Sequence, residues 1–165
     1  MKLTKLPLVA ALSLLVLSSN AWAQSTKRLI DEVNPFIGTS NFGTTNPGAV
    51  VPNGLMSITP FNVSGSPELN KFDKDKRWWS TPYTADNKFF SGFSHVNLSG
   101  VGCPELGSII ISASAGDLDV DYTHYGSAMS EEKAHPGYYS VQLDKHKIKA
   151  EVTATQRTAV SAFTF

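Results

Sequence analysis

The sequence contains little of what covalent or metal-bound frameworks require. It has one cysteine, Cys103, in 165 residues, so no disulfide and no CxxC motif can form within the chain. Its four histidines are scattered and do not form the zinc-binding motif HExxH. Any metal would therefore need oxygen ligands. The 14 basic residues equal the 14 acidic ones, so the chain lacks the excess positive charge on which nucleic-acid binding depends. Composition thus predicts one ordinary globular domain, or part of a larger one, with no nucleic acid as partner.

The longest apolar run lies at the N-terminus and is too short to anchor the protein in a membrane. Lys2 and Lys5 precede the 12-residue stretch Leu6–Leu17, and Ala21-Trp22-Ala23 is typical of a signal-peptidase site. A bilayer requires roughly 20 apolar residues, and no cysteine follows the run for lipidation. We therefore predict a signal peptide over residues 1–23 and an exported, periplasmic or extracellular domain over residues 24–165, with no membrane partner.

The mature sequence favours strands over helices throughout. Three segments are short, rich in β-branched residues or alternating in polarity, and are predicted as buried or half-buried strands: Leu55–Thr59, Ser108–Ala113 and Asp117–Tyr122. Ser130–Ala134 is the single helical candidate, and Pro136-Gly137 would end it. The class predicted from these segments is all-β.

The C-terminal third alternates in the manner of consecutive strands. Apolar residues at every second position define one face of each strand and continue after the turn Asp144–Lys147. They are Tyr139, Val141 and Leu143, then Ile148, Ala150, Val152 and Ala154. This pattern predicts an antiparallel meander within a β-sandwich that has one packed face and one solvated face. The last residues alternate in polarity like a strand up to Phe165, and no polar tail or turn follows them. We therefore expect the chain to be the N-terminal part of a longer one; the alternative is that Phe165 ends a docked edge strand.

Two stretches combine glycine, proline and aromatic residues in a way that plain strands do not. They span residues 33–56 and 78–103. Glycine permits close backbone approach, proline fixes the bends, and long ordered loops of this kind often line a binding site. The alternative is that they form only the tight corners of a sandwich.

No spacing of acidic residues identifies catalytic machinery. Glycoside hydrolysis needs two carboxyl groups that face each other across the scissile bond. The loop carboxylates of Glu68, Asp73, Asp75, Asp86 and Glu105 form no evident pair. Asp117, Asp119 and Asp121 lack the glycine and distal glutamate of a calcium loop. The sequence therefore predicts neither a catalytic residue nor a metal site in this chain.

Aromatic and histidine side chains are the candidates for ligand binding. Trp78, Trp79 and Tyr83 have flat faces that suit the C–H faces of a pyranose, although core packing is the competing interpretation. His95 lies among small and aromatic residues, where it would either orient a substrate hydroxyl or serve as a buried structural histidine.

The sequence resembles the exported exo-acting α-mannosidases of glycoside hydrolase family 92. The resemblance covers essentially all of residues 30–165, and its motifs occur in the same order as in the family. The matching motifs are Val33–Thr39, Asn46–Gly54, Gly92–Gly102, Glu132–Val141 and Ala150–Thr155. The chain is therefore identified as the N-terminal domain, as a fragment, of such an enzyme.

The resemblance implies a supersandwich of the galactose-mutarotase type, truncated before a C-terminal (α/α)₆ barrel that would be its partner. It implies calcium-dependent, inverting hydrolysis of α-mannosides in N-glycans or mannans, with the calcium ligands and the catalytic acid and base in the missing helical domain. The fragment itself would be inactive. The substrate-binding residues that it carries over are Phe42, Gly43, Trp78, Trp79, Ser94 and His95. Two other functions stay open, a stand-alone exported carbohydrate-binding module and a structural domain without a ligand.

Overall fold

The computed structural model describes most of the chain after residue 27. The described residues are 28–41, 43–63, 81–97, 107, 109–121, 124 and 126–165. The chain divides into two compact units, Met1–Asp31 and Glu32–Phe165. In the first, the Arg28 guanidinium lies 2.8 Å from the Asp31 carboxylate. The signal peptide predicted over residues 1–23 lies outside the described residues, and within them no helix is long and apolar enough to cross a bilayer.

The described part of the chain contains one 3-10 turn, Leu29–Glu32, and nine strands. The strands are β1 (Ala49–Val50), β2 (Ser57–Phe61), β3 (Phe89–Phe90), β4 (Gly92–His95), β5 (Ile110–Ile111), β6 (Ser127–His135), β7 (Tyr138–Leu143), β8 (Ile148–Ala154) and β9 (Ala159–Thr164). The all-β class is therefore confirmed.

The strands form two antiparallel sheets that share one hydrophobic core. The first has the order β1-β2-β4-β5 and the second the order β3-β6-β7-β8-β9. The Phe93 ring of the first sheet meets the rings of Tyr139 and Phe163 of the second, with centroids 6.1 and 6.4 Å apart. The packed faces of the two sheets thus form the predicted antiparallel β-sandwich.

The predicted meander is confirmed from β7 to β9. Strands β7 and β8 pair antiparallel from Tyr138 with Thr153 to Leu143 with Ile148, and β8 pairs in turn with β9. The seven apolar residues that the alternation assigned to one face, from Tyr139 to Ala154, are all buried in the core. Their period of two places every other side chain of these strands on the opposite, outer face.

The helix predicted over Ser130–Ala134 is wrong, because these residues lie inside β6. Glutamate, lysine and alanine favour helices, but pairing with β7 overrides that local preference. The register between β6 and β7 shifts by one residue between Ser130 and Lys133, and Glu131 adopts φ = 51°. A β-bulge at this point bends the strand and redirects the side chain of Glu132.

Two strand predictions also need correction. Among the described residues of the predicted strand Ser108–Ala113, Ile110–Ile111 is the part that forms a strand, and both residues are exposed at the edge of their sheet. The described part of Asp117–Tyr122 is not a strand, and Leu118 and Val120 are 81% and 83% exposed. Alternation predicted a strand there, but no neighbouring strand pairs with the segment in the described structure.

The bulge in β6 directs the Glu132 carboxylate towards two buried tyrosines. Its Oε2 accepts hydrogen bonds from the hydroxyls of Tyr83 at 2.7 Å and Tyr139 at 2.9 Å, and its Oε1 accepts one from Lys88 Nζ at 2.8 Å. The Glu132 side chain is 10% exposed. This cluster ties the segment around Tyr83 and Lys88 to strands β6 and β7.

We expect Tyr83 and Tyr139 to resist ionisation in the folded protein. Burial first, and then the charge of Glu132, raise the pKa of both phenols above the ordinary value of 10.0. The unfolded chain loses these protons near pH 10 while the folded chain keeps them. Their contribution to stability is therefore complete below pH 10 and declines as the pH rises above it.

The measurement is an alkaline titration of phenolate absorbance with circular dichroism as the folding probe. Of the five tyrosines, Tyr83 and Tyr139 should ionise only together with unfolding. Reversible ionisation of all five below about pH 11 with the fold intact would contradict the account of the cluster.

Candidate functional site

The first glycine-rich segment folds on itself and is fixed to a neighbouring loop. The Thr45 hydroxyl donates to the Ile37 carbonyl at 2.8 Å, and the Gly43 amide donates to the Ser40 carbonyl at 2.8 Å. The Ala85 amide donates to the Thr39 carbonyl at 2.8 Å. These bonds make the segment an ordered loop.

Gly43 and Gly48 allow close backbone contacts that a side chain would prevent. A Cβ atom on Gly43 would lie 1.8 Å from the Gly38 carbonyl oxygen, and one on Gly48 would lie 2.0 Å from the Thr59 hydroxyl. The Thr59 hydroxyl also donates to Asn46 Oδ1 at 2.9 Å. Because Thr59 pairs with Ser94 across β2 and β4, the first loop and the Ser94 region meet at Thr59.

Ser94 is buried, and its hydroxyl has partners within the protein. Ser94 Oγ donates to Asn97 Oδ1 at 2.9 Å and lies 3.4 Å from the Thr59 carbonyl oxygen. The side-chain Nδ2 of Asn97 donates a hydrogen bond to the Ser94 carbonyl at 3.1 Å. The backbone N–H of Asn97 donates to Ser57 Oγ at 2.8 Å. These bonds position the end of β4, so any effect of Ser94 on a ligand would act through that geometry.

The turn that ends β4 contains a strained residue. Val96 has φ = 57°, a left-handed conformation that β-branched residues rarely adopt. Its amide donates to the Ser57 carbonyl at 3.0 Å, which helps to hold the turn. Strain of this kind concentrates at functional sites, and here it adjoins His95.

His95 is half-buried and oriented by one hydrogen bond. Its Nδ1 lies 3.0 Å from the Ile109 carbonyl oxygen. Because a carbonyl can only accept, Nδ1 carries the hydrogen in this contact, and in the neutral ring Nε2 is then an acceptor. His95 can thus accept a hydrogen bond from a ligand hydroxyl through Nε2.

The other predicted binding residues are placed as follows. Phe42, Trp78 and Trp79 lie outside the described residues. The suggestion that Tyr83 stacks on a sugar is wrong, because its ring is fully buried in the core. Among the predicted residues, Gly43, Ser94 and His95 are described, and the contacts around Thr59 connect the Gly43 loop to Ser94.

The residue that sequence reasoning missed is Glu132. It was assigned to a helical segment, yet it is the hydrogen-bonded centre of a buried cluster. The burial of that carboxylate depends on a bulge, which strand periodicity does not reveal.

The described residues do not provide a calcium site. Within them, no group of three or more histidine, cysteine, aspartate or glutamate side chains is arranged to hold a metal ion. One group of possible metal ligands is that around His124, whose Nδ1 lies 3.7 Å from carboxylate oxygens of both Asp119 and Asp121. This donor set does not fit calcium, which takes six to eight oxygen ligands.

A groove of mixed polarity lies beside the edge strand β5. It has a volume of about 390 Å³, and it is lined by Ile110, Ala113, Leu118 and Val120 together with Ser91, Ser112, Ser114 and Asp119. Adjacent Ile109 is also exposed. So much exposed apolar surface beside one sheet edge is typical of a surface that another part of a protein covers.

The described residues thus form an antiparallel β-sandwich in which the first glycine-rich loop meets the Ser94 region at Thr59, and His95 is the next residue along β4. The sequence model of the glycosyl hydrolase family 92 N-terminal domain matches residues 32–165. The chain therefore belongs to this family.

Similar proteins agree with this assignment. An uncharacterized secreted glycosidase of Arthroderma benhamiae is 28% identical over 163 residues, which cover 93% of this chain and 20% of that protein. The family GH92 α-mannosidase BT3965 of Bacteroides thetaiotaomicron, solved in complex with mannoimidazole, is 31% identical to this chain, with a TM-score of 0.70. The match covers 84% of this chain and 18% of that one. The inverting GH92 mannosidase BT2199 of the same species is 26% identical with a TM-score of 0.59, and the match covers 85% of this chain and 19% of that one. This chain thus spans about a fifth of the length of these relatives.

Proposed function

We propose that this chain is the sugar-facing N-terminal domain of an exported, inverting exo-α-mannosidase acting on N-glycans or mannans. The observation that carries the proposal is the family 92 match over residues 32–165. It is supported by a structural relative that is an α-mannosidase bound to mannoimidazole and by another described as inverting. Export is supported by the signal-like residues 1–23 and by the relative described as secreted.

The role of this domain is to bind and orient the sugar. His95 Nε2 accepts a hydrogen bond from a mannose hydroxyl. The loop around Gly43 contributes to the same site through its contact with Thr59, which pairs with Ser94. Phe42, Trp78 and Trp79 supply aromatic contacts to the sugar ring, and Ser94 holds the turn after His95. Hydrogen-bonded and aromatic contacts of these kinds are the usual means of recognising a pyranose.

The catalytic acid, the base and the calcium ligands belong to a further, helical domain in this proposal. The exposed apolar side chains at the groove beside β5 support such a partner, since Leu118 and Val120 are otherwise largely in water. Each 100 Å² of apolar surface removed from water contributes roughly 2.5 kcal/mol. Calcium, if held by residues of that further domain, would supply Lewis-acid polarisation of the sugar hydroxyls.

The proposal is tested by mannose release. The product of the complete open reading frame should release mannose from α-mannosides, lose that activity in EDTA and recover it with calcium. A protein of residues 24–165 alone should release none. Saturable glycan binding without hydrolysis by both proteins would instead favour the stand-alone carbohydrate-binding module.

A further inference from the structure

The outer face of the five-stranded sheet contains a small polar cavity far along the chain from the loop residues described above. It encloses about 170 Å³ over strands β6, β7 and β8. Its lining consists of six polar residues and Val141; the polar ones are Glu131, Lys133, Tyr138, Ser140, Gln142 and Lys149. Ser140 lies at its base, 3% exposed, and pairs with Lys133 on one side and Glu151 on the other.

The walls of the cavity are held in place before any ligand arrives. The Tyr138 hydroxyl donates to Glu151 Oε1 at 2.5 Å, and Lys149 Nζ lies 3.0 Å from the same oxygen. His135 stacks on the Tyr138 ring with centroids 4.6 Å apart and an interplanar angle of 10°. An aromatic ring fixed in this way loses little conformational entropy on binding.

The charges around the cavity balance. The ammonium groups of Lys133 and Lys149 are matched by the carboxylates of Glu131 and Glu151. The hydrogen bond from Tyr138, and then that from Lys149, lower the pKa of Glu151, and the bond to Glu151 raises the pKa of Lys149. Both therefore stay charged across the neutral range, and the cavity favours neither an anion nor a cation.

The groups left to contact a ligand can together donate and accept hydrogen bonds. Among the described residues neither the Lys133 ammonium, a donor, nor the Gln142 amide, a donor and an acceptor, has a side-chain partner, and both line the cavity beside Tyr138. Sugar hydroxyls have the same dual character. At about 170 Å³ the cavity is smaller than the roughly 300 Å³ of the smallest drug-sized pockets, so it suits one ring.

We propose that this outer-face cavity binds a single neutral hexopyranose unit of a glycan. Tyr138 contacts the C–H face of the ring, while Gln142 and Lys133 bond to its hydroxyls. This second binding surface goes beyond the proposed function, because it requires neither calcium nor catalytic carboxylates and would hold a branched or polymeric glycan by a unit that is not being hydrolysed.

The test is a titration of the ¹⁵N-labelled full chain with methyl α-mannopyranoside, followed by amide chemical shifts. The expected result is saturable shifts at Tyr138, Ser140, Gln142 and Lys149, and a dissociation constant at least fivefold weaker in both Gln142→Ala and Lys133→Ala. Because both side chains lie on a solvent-facing surface, the two variants should fold normally. Gln156→Ala removes the same side chain from an exposed loop and should bind within twofold of the unmodified chain.

Three results would overturn the proposal. They are shifts confined to the loops around Gly43 and His95, unchanged affinity in Gln142→Ala and Lys133→Ala, and tighter binding of inorganic sulfate than of the sugar at the same residues. Mannose release by the complete open-reading-frame product should be unchanged by Gln142→Ala on a small α-mannoside. A failure here is thus distinguishable from a failure of the proposed enzyme function.

Discussion

Replacing Glu132 by alanine should lower the free energy of unfolding by about 3 kcal/mol. The substitution leaves the buried hydroxyls of Tyr83 and Tyr139 without their acceptor and removes the partner of Lys88. It also opens a gap behind the bulge in β6. Urea unfolding followed by circular dichroism measures the change.

Three variants separate the parts of this effect. Glu132→Gln keeps one oxygen for the tyrosines and should cost about half as much as Glu132→Ala. Lys88→Met should cost about 0.5 kcal/mol or less, because the lysine side chain is 46% exposed and screened by water. Glu131→Gln, at the exposed neighbouring position, is the matched control and should cost almost nothing. Equal effects of Glu131→Gln and Glu132→Gln would show that the cluster does not stabilise the sandwich.

Replacing His95 by alanine in the full-length protein should lower kcat/KM for α-mannosides by about 10- to 100-fold, which corresponds to about 1.4 to 2.7 kcal/mol. In the proposed function the variant loses one oriented acceptor for a sugar hydroxyl, namely Nε2, because Nδ1 is already bonded to the Ile109 carbonyl. Steady-state kinetics with a small α-mannoside gives the value, and unfolding of the same variant gives its stability.

His146→Ala is the matched control, because this histidine lies in the turn between β7 and β8. It should leave kcat/KM within twofold. A His95→Ala variant that loses stability but keeps kcat/KM would identify His95 as a structural residue, which the sequence alone left open.

The sequence predicted the fold where packing follows a simple period. From Tyr139 to Ala154 every second residue is apolar and buried, so alternation specified both strands and their inner face. Around Glu132 that reasoning failed, because the extra residue in β6 changes which side chains face inward. Around Leu118 it failed because alternation cannot show whether a partner strand exists.

The sequence predicted where in the chain the candidate site lies, but not what each of its residues does. Glycine at 43 and 48 indicated close backbone contacts, and the structure shows carbonyl and hydroxyl oxygens where their side chains would lie. Sequence could not distinguish the buried Ser94 from the half-buried His95, because their exposure depends on the turn at Val96 and on residues near Gly107. Those contacts join segments that are distant in sequence.

The most direct test of the account is the configuration of the first sugar released. Proton NMR of an α-mannoside incubated with the product of the complete open reading frame should show β-mannose appearing first, with the α anomer forming later by mutarotation. Initial α-mannose would contradict inversion, and no mannose at all, with calcium present, would contradict the assignment of this chain to an active α-mannosidase.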